Sequence, residues 1–271
     1  MAIVHLLRRS LRRLHSLEVR DPVPGELRGW SFDTPPVRPA AYLGLGVSEI
    51  AYGAKCGWRP LWLRRRAGVG IASTSAMEAG ALAHKAFHYA STGVRQLLAR
   101  GLEPWEIVER LSTRPPRDLA SEPWAVRLYR MLVAEWAGEV AGHRLYYGGD
   151  GVGVVPWLTE YRVDGSPLGL SRRLRVDAMG ESGVVVEVKL GRPQWWHRVA
   201  LTGYALALEA NFESPVDYGI LVGVVVNGGP PRLEVDPVYI SPGLREDFFR
   251  LRDEAVEVLL GDNEPDGRGG C

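Results

Sequence analysis

Apolar positions recur at helical spacing through the first half of this chain and at alternating or continuous spacing through the second. The start, MAIVHLLRRSLRRLH, is amphipathic and basic; its apolar runs are far too short to span a bilayer, so it reads as a helix lying on the domain. From Asp21 to Ala40 the stretch DPVPGELRGWSFDTPPVRPA lacks backbone donors at its prolines, which predicts an extended strap over the body. Ser48 is placed to N-cap a short helix carrying Glu49, Ile50 and Ala51. Periodicity then predicts a long helix over about 76–100, stopped by Gly101, and two more at about 104–112 and 123–143.

The pattern changes near Gly148. Short β-branched runs follow: LRVDAM (174–179), VVVEVKL (184–190), YGILVGVVV (218–226) and RLEVDPVYI (232–240). An amphipathic helix at about 194–210 separates the second run from the third, and a closing helix covers about 242–260. That order predicts an α/β fold, a mixed sheet flanked by helices. The expected organisation is a mostly helical region over 1–147, an α/β core over 148–262 and a flexible tail over 263–271.

Composition narrows the chemistry. Apolar residues are 46% and charged residues 24% of the 271, which is ordinary for a packed globule and excludes disorder as the main state. The net charge of +1 advertises no nucleic-acid partner, so arginine must act locally. Arg64, Arg65 and Arg66 are consecutive, and Arg172, Arg173 and Arg175 cluster just before Asp177. Each cluster by itself is more often a solvated face. Two cysteines, Cys56 and Cys271, make no disulfide framework and cannot fill the four ligand positions of a zinc or iron–sulfur centre. A cytoplasmic protein with no membrane segment is expected.

The candidate site lies in a hairpin. Asp177 belongs to one strand and Glu187-Val188-Lys189 to the next, with Gly180-Glu181-Ser182-Gly183 between them. Positions 177 and 187 are equidistant from Ser182, so a symmetric hairpin makes the two carboxylates cross-strand partners about 5 Å apart at Cβ. The period of two adds Lys189 to that face and turns Val186 and Val188 to the other. Three ionisable groups on one face of an apolar hairpin are costly unless something binds there. Mg²⁺ or Mn²⁺ suits two carboxylates and a backbone carbonyl, for phosphodiester hydrolysis with Lys189 stabilising charge. Glu160, in a strand leading toward the hairpin, and His84, in the long helix, could complete the ligand shell. Gly80, one turn before His84, would allow close approach of another backbone.

The sequence Gly80-x-x-x-His84, Glu160, Asp177, Glu187-Val188-Lys189, then a helix carrying Tyr204, resembles the RecB-like nucleases of the PD-(D/E)xK superfamily. RGWSFDTPPVRP followed by LGLGVSEIAYGAKCGWRPLWLRR further resembles the archaeal subtype I-A branch of the fourth CRISPR-associated family. The resemblance implies a restriction-endonuclease-like core and a metal-dependent exonuclease acting on single-stranded or overhang-bearing DNA. Such an enzyme trims prespacer ends in spacer acquisition, beside the CRISPR integrase and other adaptation proteins. His84, Asp177, Glu187 and the Val188 carbonyl would be metal ligands, Lys189 the catalytic lysine, Glu160 a support and Tyr204 part of the cleft. Trp195 and Trp196 could stack on bases, and the arginines at 64–66 and 172–175 could follow phosphates.

Two positions depart from that pattern. Ala200 stands where the family carries a glutamine. The family's iron–sulfur cluster uses four cysteines, and this sequence offers Cys56 and Cys271; two ligands were lost, or the sequence ends early. No intact cluster is expected, with a frayed tail. A catalytically weakened DNA-binding scaffold of the adaptation complex and a recombination or repair nuclease of the same fold are the competing readings.

Overall fold

Five strands form one mixed sheet in sequence order: β1 (Leu158–Val163), β2 (Leu174–Met179), β3 (Val185–Leu190), β4 (Tyr218–Val225) and β5 (Arg232–Tyr239). The computed structural model describes residues 3–70, 72–156, 158–180 and 183–267, with side chains from residue 10 onward. Neighbouring strands are antiparallel except β3 and β4, which run parallel. A parallel pair needs a crossover, and α7 (Trp195–Phe212) supplies it.

Helices cover both faces. One layer holds α2 (Val47–Cys56), α7 and α8 (Pro242–Leu260), packed on Val185 and Leu221. The other holds α4 (Ser75–Leu98), α5 (Pro104–Thr113) and α6 (Pro123–Tyr147), packed on Val186, Val188 and Val222. Strands buried on both faces must be apolar throughout, which is why VVVEVKL and YGILVGVVV scarcely alternate. The helix α1 (Ile3–Arg20) lies against β5, and its Glu18 accepts from the hydroxyl of Tyr218 at the start of β4. Among the described residues no helix is long and apolar enough to cross a membrane.

The proline-rich stretch does wrap the body, and buried arginines fasten it. Arg252 of α8, fully buried, donates to the carbonyls of Val37 at 2.6 Å and Pro36 at 2.9 Å. Arg28 of the strap pairs with Glu209 of α7 at 2.9 Å and with Asp217 just before β4. Arg245 of α8, also fully buried, pairs with the same two carboxylates at 2.7 and 3.1 Å. Gly29 then passes so close to α7 that an added Cβ would lie 2.0 Å from the Leu206 carbonyl oxygen. Gly29→Ala is therefore expected to lift the strap and cost about 3 kcal/mol, the upper range for overpacking, read as a lower urea midpoint. An unchanged midpoint would mean that the strap is not tightly docked.

Three local expectations need correction. Gly46, not Ser48, caps α2, and Glu49 closes the turn by accepting the Gly46 N–H at 2.6 Å. A Cβ at Gly80 would meet nothing within 4 Å, so that glycine admits no neighbouring backbone. A short helix, α3 (Arg59–Arg65), follows α2 and was not predicted, because Pro60 and three arginines mask its period. Beside it the chain after α8 is held by ion pairs, Arg59 with Glu264 at 2.5 Å and Arg66 with Asp262 at 3.3 Å.

Candidate active site

The β2–β3 ladder is short. It pairs Ala178 with Val186 and Met179 with Val185, and the same register carried one step further sets Asp177 opposite Glu187. Ser182, about which this pairing is centred, lies outside the described residues. Beyond that pair the strands part, and Asp177 Oδ2 accepts the Val188 N–H at 2.7 Å in place of a ladder bond. β1 reaches the same row, since Thr159 pairs with Ala178 and Tyr161 with Val176, which sets Glu160 beside Asp177. Glu160 has φ of 54°, a left-handed conformation that costs a non-glycine residue about 1 kcal/mol or more. The pleat breaks at this row too: Val176 packs in the α7 layer, whereas Ala178, two residues on, packs in the α4 layer.

A fork in the sheet lets side chains from both layers meet. His84 comes from α4 and places Nδ1 3.0 Å from Asp177 Oδ1. One turn later His88 Nδ1 lies 2.7 Å from Thr159 Oγ1, and further on Ser91 and Arg95 donate to the Pro156 carbonyl. These contacts fasten α4 along the approach to β1. Ligand atoms of His84, Glu160 and Asp177 lie within 4.8 Å of one another. Glu187 and Lys189 share the strand face of Val185, toward α7, and form an ion pair. Tyr204 of α7 is buried and shares a hydrogen bond with Ser48.

Electrostatics follow from burial. Glu187 is 1% exposed and neither of its oxygens receives a hydrogen bond of normal geometry. Burial, with Asp177 adding like charge, pushes its pKa up to about 7 despite Lys189. Burial also opposes the Asp177 charge, but His84, Lys189 and the Val188 N–H outweigh it and hold its pKa below the usual range. For His84 and Lys189 burial again works against the charge, and the two carboxylates prevail, raising both pKa values. Burial, then Glu187 and Asp177, keep the Tyr204 hydroxyl protonated.

The donor set fits a small divalent cation: carboxylate oxygens and one imidazole converge, and the buried Glu187 beside them, paired with Lys189, receives no hydrogen bond of normal geometry. A four-cysteine cluster would need more ligands than the two cysteines of this sequence; Cys56 is buried, and Cys271 lies outside the described residues.

The expected nucleic-acid contacts are scattered. Arg64 and Arg65 both pair with Glu49, and Arg66 pairs with Asp262. Arg172 lines a groove of about 690 Å³ with Phe32 and Tyr42, Arg173 is exposed, and Arg175 pairs with Glu160 at 3.1 Å. Trp195 is exposed in a cleft with Trp58 and Arg250, whereas Trp196 lies under the Lys55 ammonium at 4.9 Å. Ala200 is sealed in the α7 core layer. Sequence reasoning missed Lys55, Ser48 as a partner of Tyr204, and His197, whose only signal was its spacing of seven from Tyr204.

The model of the family described as "CRISPR-associated exonuclease Csa1" matches residues 1–270. A relative bearing that name from Thermoproteus tenax is 35% identical over 263 residues, covering 95% of this chain and 91% of that protein. Another, from Saccharolobus solfataricus, is 29% identical over 255 residues, covering 88% and 84%.

Proposed function

This chain belongs to the CRISPR-associated exonuclease Csa1 family, and from that premise we propose a divalent-metal-dependent exonuclease of the PD-(D/E)xK type acting on single-stranded DNA. The observation that carries the reading is the convergence of His84, Glu160 and Asp177 within 4.8 Å beside a buried Glu187 whose oxygens receive no hydrogen bond of normal geometry. Those four side chains, with the Val188 carbonyl, would hold Mg²⁺ or Mn²⁺. Bound there, the ion supplies a Lewis acid for the phosphodiester.

The chain's own groups account for the rest. Lys189 stays charged because Glu187 and Asp177 hold its proton, so it can offset negative charge growing on the phosphate. Asp177 fixes the Val188 peptide by accepting its N–H, which orients the carbonyl edge of β3 next to the carboxylates. Tyr204 closes the inner side of the site as a neutral donor. In a CRISPR setting the substrate would be the overhang of a prespacer, trimmed before integration alongside the integrase.

The test uses an end-labelled linear single strand and a circular strand of the same sequence, in Mn²⁺ and in EDTA. Shortening of the linear strand only, in Mn²⁺ only, and about 10²–10³-fold slower with Lys189→Ala, is expected. Binding without cutting would leave the chain a scaffold of the adaptation machinery. Cutting of the circle would make it an endonuclease.

A further inference from the structure

The seam where α2 meets the first turn of α7 carries a cation and a neutral donor that no carboxylate or acceptor answers among the described residues. His197 is half-buried there, seven residues before Tyr204 and therefore on the same helix face. Its Nδ1 accepts the Gln194 backbone N–H at 3.1 Å. That contact assigns the tautomer: the hydrogen of the neutral ring is on Nε2. Burial first, then the nearby Lys189 and Lys55, push its pKa down to about 4, so the ring is a neutral donor at physiological pH. Among the described residues no group accepts from Nε2.

Lys55 is the second element. It is exposed on α2, with its ammonium 4.9 Å from the Trp196 ring centroid and 5.9 Å from that of Tyr52. Among the described residues it pairs with no carboxylate. The neighbouring cations differ: Arg64 and Arg65 are held by Glu49, Arg175 by Glu160 and Arg198 by Asp236. Helix capping explains the His197 Nδ1 contact but neither the free Nε2 donor nor an unanswered cation beside it. A cation beside a neutral donor, with the metal-site Lys189 also bearing on that donor, makes a place for an anion.

We propose that Lys55 Nζ and His197 Nε2 hold a phosphate of the bound strand, the one neighbouring the bond cleaved at the Asp177–Glu187–Lys189 site, with Trp196 and Tyr52 steadying Lys55. This subsite rests on the nuclease reading, since it assumes a strand threaded past that site. Trp196 acts as a positioning residue and the two donors touch the substrate.

The experiment combines binding of single-stranded DNA in Ca²⁺ with turnover in Mn²⁺, for wild type, Lys55→Ala, His197→Ala and His197→Gln. Each alanine variant is expected to raise Kd and KM about tenfold, the effect of one charge-assisted hydrogen bond, with kcat changed less than about threefold. Lys55→Ala should also shrink the slope of log Kd against log salt by about 0.7, the value per neutralised phosphate of a single strand. His197→Ala, which removes no charge, should leave that slope alone, and His197→Gln should restore most of the affinity. Wild-type Kd and salt slope in both alanine variants would overturn the subsite while leaving the nuclease intact. A wild type that binds the strand but never cuts it removes the nuclease reading, and the binding measurements still decide the subsite. A wild type that does neither removes both.

Discussion

Replacing Arg245 by methionine is expected to cost about 3–5 kcal/mol, the usual penalty for breaking a buried ion pair by removing one partner. Glu209 is 0% exposed and takes donors from Arg28, the Gly29 N–H, the Val216 N–H and two nitrogens of Arg245. Without Arg245 its charge stays buried with only Arg28 opposite, and Asp217 loses a partner as well. Against a total stability of roughly 5–15 kcal/mol, that loss leaves the fold marginal. The measurement is the urea midpoint of the single variant and of Arg245→Met combined with Glu209→Leu. The double variant removes the stranded charge and should recover a large part of the loss; equal losses in both would show that packing of the arginine stem, not charge, carries the effect.

Glu187→Gln is expected to separate function from stability. Removing a carboxylate of the proposed metal site should lower turnover by about a thousandfold, some 4 kcal/mol of barrier. The same change should stabilise the metal-free protein at alkaline pH. Glu187 has a folded pKa of about 7, above its unfolded 4.5. A carboxyl raised in this way favours the fold fully below pH 4.5, and the advantage is lost as pH rises through 7. Metal-free wild type should therefore weaken between about pH 4.5 and 7 by on the order of 3 kcal/mol, while the glutamine variant holds. Melting curves in EDTA at pH 5 and pH 8 read the difference, which should shrink to under about 1 kcal/mol at pH 5. Mn²⁺ should raise the melting point of wild type and leave the variant unchanged. A variant no more stable than wild type at pH 8 would show that Lys189 already neutralises Glu187.

Much of this was legible in the chain. The period of two placed Glu187 and Lys189 together, and the spacing around the β2–β3 turn put Asp177 across from Glu187. Helices α4 to α8 fell within a few residues of expectation, because each carries a long apolar stripe and a cap or breaker at its end. His84 and Glu160 could be named from the residues as additions to the shell. Each alone reads more readily as an ordinary helix histidine or a solvated glutamate, and the resemblance gave them their roles. Nothing local says that a histidine on a helix and a glutamate on an edge strand will meet, and their meeting depends on the fork between β2 and β3.

Other features were not legible for the same physical reason. Arg28 and Arg245 look like surface arginines, yet they are buried because Glu209 and Asp217, at sequence separations of 28 to 189, supply the opposite charge. Arg64 and Arg65 look like a phosphate track, yet Glu49 occupies both. A charge pattern reports what a side chain can do; which partner it has depends on elements distant in sequence. The sequence by itself determined the elements, the mixed sheet and the hairpin carboxylates, since these follow from local periodicity and turn chemistry. Only the tertiary structure decided which charges are spent within the fold and which, such as Lys55, meet no carboxylate among the described residues, because ion pairing is a matter of distance in space.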